Sequence, residues 1–471
     1  MGQSVLRSAA LGLLGVLAFR GQVASSLPKT DRPNIIFLLA DDLRFDVVGY
    51  EKAWQISTPA IDKLAADGTM FKNTYATSAI CCASRASILT GQYVRRHGIA
   101  GFDADIKGGE LQNTYPLILK NNGYRIGFIG KYGVGHYLPK EHYDYWKGFG
   151  GQGTYYQKDE DGRDIHLTAL ISSQINEFLE SSDQTEPFCL SVSFKSPHTE
   201  SEQDPFPYDR RYEAIYKDDV FPKPKSFGNE YYIKFPEAFR HEGKWENEGH
   251  VRFKNRYGTD EKYQSSVKGH FRLIAGIDDA IEKLRKKLEE MDLSDNTIII
   301  FTSDNGYYLG EHGLEGKWYG HEESIRLPLV IYDPRMKEKA NTVEEIVLNI
   351  DFPVTMLDYA GAPVPDRMQG KSLRPLVEKK RTSWRDCFLY EHLLNLDKQG
   401  WYVYIPQTEG VVAHRYKYMR YFNDNDSKHP IYEELFDTKK DPEEVKNLVA
   451  EYPHKTNELR TKLERLILQA K

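Results

Sequence analysis

The sequence predicts an α/β fold: a large, mainly parallel sheet flanked by helices, followed by a smaller C-terminal α+β subdomain carrying an antiparallel sheet. Three observations predict it. Short apolar runs alternate with stretches of helical periodicity, the pattern of strands buried on both faces. Several runs stop in polar clusters, at Asp41-Asp42, at 195–198 and at Asp304-Asn305. Ligand sites in open α/β sheets lie beyond the carboxyl ends of strands, where such clusters would meet. After about residue 376 the pattern changes to short strands and a final amphipathic helix.

In chain order, the continuous apolar run 34–39 reads as the first buried strand and ends directly in Ala40-Asp41-Asp42. Residues 59–67 read as a helix, with Pro59 at its start and Gly68 just past its end. Another helix begins at 85–89, after Ser84. Residues 117–121 lead into a strand at 124–129, closed by Gly130-Lys131, and a strand at 188–194 runs into Lys195-Ser196-Pro197-His198. Residues 201–262 mix proline, aromatics and charges without sustained periodicity, too long for a plain connection, and read as a functional insertion. Helical periodicity returns at 271–291, strands follow at 297–302 and 329–332, and the C-terminal part offers strands at 410–414 and 417–422 and a helix at 453–468. Lys283, Arg285, Lys286 and Lys287, followed by Glu289 and Glu290, read as a solvated helix face with ion pairs.

A chain of 471 residues exceeds one small core, so two units are expected, 26–376 and 377–471. With a net charge of -6 and a pI near 6.2, no global basic field exists to capture nucleic acid. An anionic substrate must be held by local positive charge. The first 25 residues have the form of a secretory leader: Arg7, an apolar core at 9–19, and small residues ending at Ser25. That predicts a secreted, periplasmic or lysosomal protein. No later apolar run is long enough to span a membrane. Of the four cysteines, adjacent Cys81 and Cys82 rarely pair, and a Cys189–Cys387 bridge stays open. There is one glycosylation sequon, Asn425-Asp426-Ser427.

Asp41, Asp42, Asp304 and Asn305 offer only hard oxygen donors, suited to Ca2+ or Mg2+ and poorly to zinc. Each pair alone would pass for ordinary turn residues, but two pairs at strand ends favour a metal. The sharpest segment is Cys81-Cys82-Ala83-Ser84-Arg85, continued by Leu89-Thr90-Gly91. A cysteine near a helix N-terminus with an arginine four residues on is expected to have a lowered thiol pKa. The bland alternative is a buried structural cysteine.

This segment resembles the sulfatase signature, Cys-x-(Pro/Ala)-Ser-Arg followed by Leu-Thr-Gly, which directs oxidation of its first cysteine to formylglycine. The register names Cys81. Further blocks of that family fall in order at 34–42, 58–62, 123–131, Pro197-His198, 303–306 with Gly310, His312-Gly313 and Lys317, 351–361 and 433–437. The Cys81-Cys82 doublet, Gly130-Lys131-Tyr132 and Tyr155-Tyr156 look like the branch of N-acetylglucosamine-6-sulfatases and extracellular heparan sulfate 6-O-sulfatases.

The resemblance implies an alkaline phosphatase-like fold and a sulfuric ester hydrolase acting on a sulfated carbohydrate or another sulfate ester. It implies one Ca2+, with Mg2+ possible, held by Asp41, Asp42, Asp304, Asn305 and the formylglycine at Cys81, which a formylglycine-generating enzyme would make. Arg85 would stabilise the formylglycine hydrate, Lys131 and Lys317 bind sulfate oxygens, and His198 protonate the leaving alcohol. Many sulfatases place a histidine two or three residues after the Lys131 equivalent. Here those positions are Gly133 and Val134, and His136 is the nearest candidate. His312 reads as structural, and His321 as lining the pocket or capping a loop. The insertion, with Phe206, Tyr208, Tyr212, Tyr231, Tyr232 and Trp245 beside Arg210, Arg211, Lys223 and Lys225, is expected to shape a sugar subsite, the bland alternative being that its aromatics pack it against the body. The alternatives are a phosphomonoester or phosphonate hydrolase of the same superfamily, and a catalytically silent protein that binds sulfated glycans.

Overall fold

Among the described residues nine strands form one sheet whose faces are both covered, which is why its central strands are buried at every position and largely apolar rather than alternating. The computed structural model describes residue 1 and residues 32–159, 161–182, 186–240, 246–336, 338–380, 382–394, 403–423 and 429–471. The expected leader beyond residue 1, the sequon at 425–427 and Trp245 lie outside the described residues.

The sheet order is Arg326–Leu327, Thr69–Tyr75, Leu329–Tyr332, Thr297–Ser303, Asn34–Asp41, Phe188–Pro197, Arg125–Lys131 and Tyr145–Phe149, with Asn341–Leu348 also paired to Thr69–Tyr75. Asn34–Asp41 runs parallel to both its neighbours, and antiparallel pairing is confined to the Arg326–Leu327 and Leu329–Tyr332 strands. The architecture is the mainly parallel sheet that the sequence predicts. The helices Pro59–Asp67, Leu167–Glu180 and Asp260–Glu290 pack one face through Ile61, Leu64, Ile171, Ile175, Ile274 and Ile277. Cys81–Thr90, Tyr115–Asn121 and Asp351–Ala360 contribute Ile88, Leu119 and Leu357 to the core on the other.

In the C-terminal part, Cys387–His392, Gln407–Ala413, Tyr416–Phe422 and Tyr432–Asp437 form an antiparallel sheet in that order. Pro453–Gln469 covers it with Leu459, Leu463 and Ile467 against Leu389, Val411 and Leu435. The fully buried Lys417 pairs with Glu322 at 2.7 Å and Glu444 at 2.8 Å, tying this sheet to the segment that follows Lys317. Cys189 and Cys387 are both free thiols in separate cores, so the bridge left open is not made. No helix among the described residues is long and apolar enough to cross a membrane.

The 201–262 segment departs from expectation. It contains the helices Asn229–Tyr232, Glu237–Arg240 and Glu248–Tyr257, and the long helix Asp260–Glu290 begins inside it. Several of its described aromatics pack inward. Phe206 and Tyr232 are buried, the latter stacked on His250 with ring centroids 3.6 Å apart. Tyr208 packs under Arg272, and the Tyr212 hydroxyl donates to Asp279 at 3.0 Å. Of the cations, Arg211 pairs with Asp209, Lys223 with Asp260 and Lys225 with Glu443. Most of these rings therefore fasten the insertion to the body instead of forming an open platform for sugars, because their apolar area is worth more buried than left at a wet surface.

Candidate active site

Because Asn34–Asp41 and Thr297–Ser303 are adjacent and parallel, with Ala40 opposite Ser303, the residues just beyond both ends are brought together. Asp41 and Asp42 thus meet Asp304 and Asn305. The turn at Asp42 takes a left-handed backbone, φ 69°, and its N–H donates to Asp304 Oδ1 at 3.2 Å. Phe188–Pro197, on the other side of Asn34–Asp41, delivers His198, and Arg125–Lys131 ends on Lys131. The helix Cys81–Thr90 presents Cys81 at its first position and Arg85 one turn on, on the same face. Ser84 fixes this helix, donating to the Asp304 carbonyl at 2.5 Å and accepting from Asn349 at 2.9 Å.

Ligand atoms of Asp41, Asp42, Cys81 and His198 all lie within 4.8 Å of one another. Three buried cations close on the carboxylates. Arg85 Nε donates to Asp304 Oδ2 at 2.8 Å, its Nη2 lies 3.3 Å from Asp41 Oδ2, and its Nη1 donates to the Lys131 carbonyl at 2.7 Å and to Ser193 Oγ at 2.5 Å. Lys131 pairs with Asp41 and donates to Gln152 Oε1 at 2.6 Å. Lys317 spans both oxygens of Asp42, at 2.5 and 2.7 Å. His198 Nδ1 donates to the Thr199 carbonyl at 2.6 Å, which leaves Nε2 facing the cluster, 3.6 Å from Asp42 Oδ2.

The charges follow from this packing. Burial raises the carboxyls of Asp42 and Asp304 above their usual range. Burial works the same way on Asp41, but Lys131, His198, Arg85 and Lys317 together hold it well below that range. Burial, reinforced by Lys317, holds His198 neutral, well below its ordinary value. Cys81 corrects the sequence expectation: burial, with Asp41 beside it, pushes the thiol up and not down. An unmodified Cys81 here is a protonated thiol and a poor nucleophile.

A divalent cation suits this donor set. Asn305 turns its Nδ2 to Asp42 Oδ1 at 2.6 Å and to the Gly306 carbonyl at 2.8 Å, leaving its Oδ1 buried without a donor. An orphaned amide oxygen beside three buried carboxylates is what a hard cation requires.

His136 does not join the cluster. Its side chain is 77% exposed and its Nε2 lies 3.2 Å from Asp103. At Gly133 the backbone is left-handed, φ 70°, and an added Cβ would fall 2.6 Å from Arg85 Cδ. Arg85 fills the space that a side chain there would need. His136→Ala is therefore expected to leave kcat and KM within about 2-fold of the parent on a small aryl sulfate. A loss above 10-fold would return His136 to the site. His312 and His321 are buried as a stacked pair, centroids 4.1 Å apart, and the His321 side chain makes no capping hydrogen bond. Gln152 and Ser193 were not singled out by sequence. Gln152 sits in a glycine-rich turn and Ser193 inside a strand, so neither carries a local signature.

A family model described as Sulfatase matches residues 33–362, and one described as N-sulphoglucosamine sulphohydrolase, C-terminal, matches residues 310–471. The chain is 29% identical over 530 residues to an N-acetylglucosamine-6-O-sulfatase of Bacteroides thetaiotaomicron, covering 98% of this chain and 91% of that protein. It is 28% identical over 419 residues to the human N-acetylglucosamine-6-sulfatase, covering 81% and 69%. Among solved structures it resembles one in complex with its substrate D-glucosamine-2-N,6-O-disulfate, with TM-score 0.78, 26% identity and coverage of 93% and 98%. A phosphonate monoester hydrolase of Agrobacterium radiobacter, at TM-score 0.74 and 21% identity over 93% and 96%, shares the fold.

Proposed function

The chain belongs to the sulfatase family and is a sulfuric ester hydrolase, and we propose that it removes a sulfate ester from a sulfated glycosaminoglycan, first of all from a 6-O-sulfated glucosamine unit. The observation that carries the reaction type is the buried cluster of Asp41, Asp42, Cys81 and His198 closed by Arg85, Lys131 and Lys317. The substrate class is supported by the similarity to the Bacteroides enzyme and to the protein holding a glucosamine disulfate.

Cleaving an alkyl sulfate requires neutralising the sulfate oxygens, a strong nucleophile and a proton for a poor leaving group. Asp41, Asp42, Asp304 and Asn305 would hold a calcium or magnesium ion, which supplies Lewis-acid stabilisation of oxygen charge. Cys81, once converted to formylglycine by its maturation enzyme, supplies a hydrate with two hydroxyls on one carbon, one to attack sulfur and one to release sulfate afterwards. Arg85, fixed by four contacts, orients that residue. Lys131 and Lys317 exchange their carboxylate partners for sulfate oxygens. The incoming negative charge opposes the burial and the Lys317 charge that hold His198 neutral, raises its pKa, and lets Nε2 gain the proton it gives to the departing alcohol. The expected leader supports export to the periplasm, a lysosome or the outside.

A substrate panel tests the reading. N-acetylglucosamine 6-sulfate and glucosamine 6-sulfate should be hydrolysed with kcat/KM at least about 100-fold above galactose 6-sulfate and above an aryl phosphate or phosphonate. A preference for the phosphonate would favour the neighbouring hydrolase activity, and equal rates on both sugars would remove the glucosamine assignment.

A further inference from the structure

One buried charge near the site has no part in the reaction above. Lys195 lies in the Phe188–Pro197 strand, three residues before His198, with its side chain 1% exposed. A buried ammonium is costly unless its partners do something with it. Its partners all belong to one short turn and its brace. Lys195 Nζ donates to the Gly153 carbonyl at 3.1 Å, lies 3.6 Å from Glu200 Oε2, and sits 4.8 Å from the centre of the Tyr155 ring. Glu200 Oε2 in turn accepts from the Tyr155 N–H at 2.5 Å. The Tyr155 hydroxyl closes the loop, donating to the carbonyls of Lys195 at 3.2 Å and His198 at 2.7 Å. The turn is closely packed: Gly153 is left-handed, φ 64°, and a Cβ there would lie 2.6 Å from the Phe149 ring.

What this brace carries is Gln152. Gln152 is exposed, yet its Oε1 accepts from the buried Lys131 at 2.6 Å. The turn thus ends on Lys131, the ammonium that also pairs with Asp41 in the cluster.

We propose that Lys195 is a positioning residue: by gripping Gly153 and Glu200 it holds the 152–155 turn so that Gln152 sets the orientation of Lys131 and thereby the affinity for the sulfate group. This rests on the reading of Lys131 as a sulfate-binding residue. The contacts run from Lys195 to backbone and carboxylate, with none to the reacting atoms, so its effect falls on ground-state binding and leaves the chemical step intact.

The test is a double-mutant cycle on the matured enzyme with a small aryl sulfate, which occupies only the catalytic pocket. Lys195→Met keeps the aliphatic stem against Tyr155 and removes the charge. Lys195→Met and Gln152→Ala should each raise KM roughly 10-fold with kcat changed by less than about 3-fold, and the double variant should be no worse than the more damaged single. Should Lys195→Met fail to fold, Glu200→Gln, which keeps shape and removes only the charge, takes its place in the cycle with the same expectation. An unchanged KM in the folded variant, or KM effects that multiply in the double variant, overturns the proposal. Lys131→Ala separates the two readings. If it keeps activity, the assignment of Lys131 fails. If it is inactive while the Lys195 and Glu200 variants bind normally, the positioning role alone fails.

Discussion

Replacing Cys81 by serine should abolish multiple turnover, lowering kcat by roughly four orders of magnitude or more, while the protein still folds. The substitution is nearly isosteric, and Cys81 makes one weak side-chain contact, its Sγ 3.4 Å from Asp41 Oδ1. The loss comes from chemistry. A serine hydroxyl between the cluster's cations can accept a sulfate group but has no second hydroxyl with which to expel it. A single slow turnover should be followed by a stalled, sulfated protein. Cys82 supplies the control. It is fully buried in an apolar cluster with Ile80, Ala83 and Tyr75, so Cys82→Ser should cost about 1–3 kcal/mol of stability and leave activity per folded molecule within about 3-fold. Mass spectrometry of the tryptic peptide 73–85 reads the modification directly, since aldehyde and thiol differ in mass. Steady turnover by Cys81→Ser, or a thiol at Cys81 in fully active enzyme, would refute the assignment.

The central strands were legible in the sequence because burial on both faces leaves a mostly apolar run without polar alternation on one face. Residues 34–39, 188–194 and 297–302 all lie within observed strands. Thr69–Tyr75 was not, because it pairs near the sheet edge and carries Lys72 and Asn73 among its apolar residues. The helix that opens on Cys81 starts four residues before the stretch that periodicity marked, since it is buried all round and has little amphipathic contrast. In the site, the polar pairs at strand ends told of a shared cleft, as adjacent parallel strands require. The direction of the Cys81 thiol shift could not be read, because it depends on how far the cluster is desolvated rather than on the arginine four residues away. His136 shows the limit of sequence proximity: five residues after Lys131, it lies on the outside, and the space nearer the site is filled by Arg85. The inward packing of Phe206 and Tyr232 is likewise a property of the surface they meet, invisible in composition.

Removing the charge of Asp304 should empty the cation site, and the choice of substitution decides what the result means. Asp304 Oδ1 accepts from the N–H groups of Asp42 and Asn305 at 3.2 and 2.8 Å, and Oδ2 from Arg85 Nε at 2.8 Å. Asp304→Ala strands all three donors in a buried place, at about 3–5 kcal/mol, so loss of activity alone would say little. Asp304→Asn keeps the shape and one acceptor oxygen and removes only the negative charge. Both variants should fall at least about 1,000-fold in kcat/KM, and both should lose the metal. Elemental analysis of the parent should find about one calcium or magnesium per chain and no stoichiometric zinc, given an all-oxygen donor set. A second readout is independent of turnover. A ligand at 100 times its Kd stabilises the folded state by about 2.7 kcal/mol, so a chelator should lower the Tm of the parent and leave that of Asp304→Asn unmoved. Full metal content in Asp304→Asn would remove Asp304 from the ligand set, and zinc in active parent enzyme would overturn the calcium or magnesium assignment. The orphaned Asn305 Oδ1 would then need another explanation.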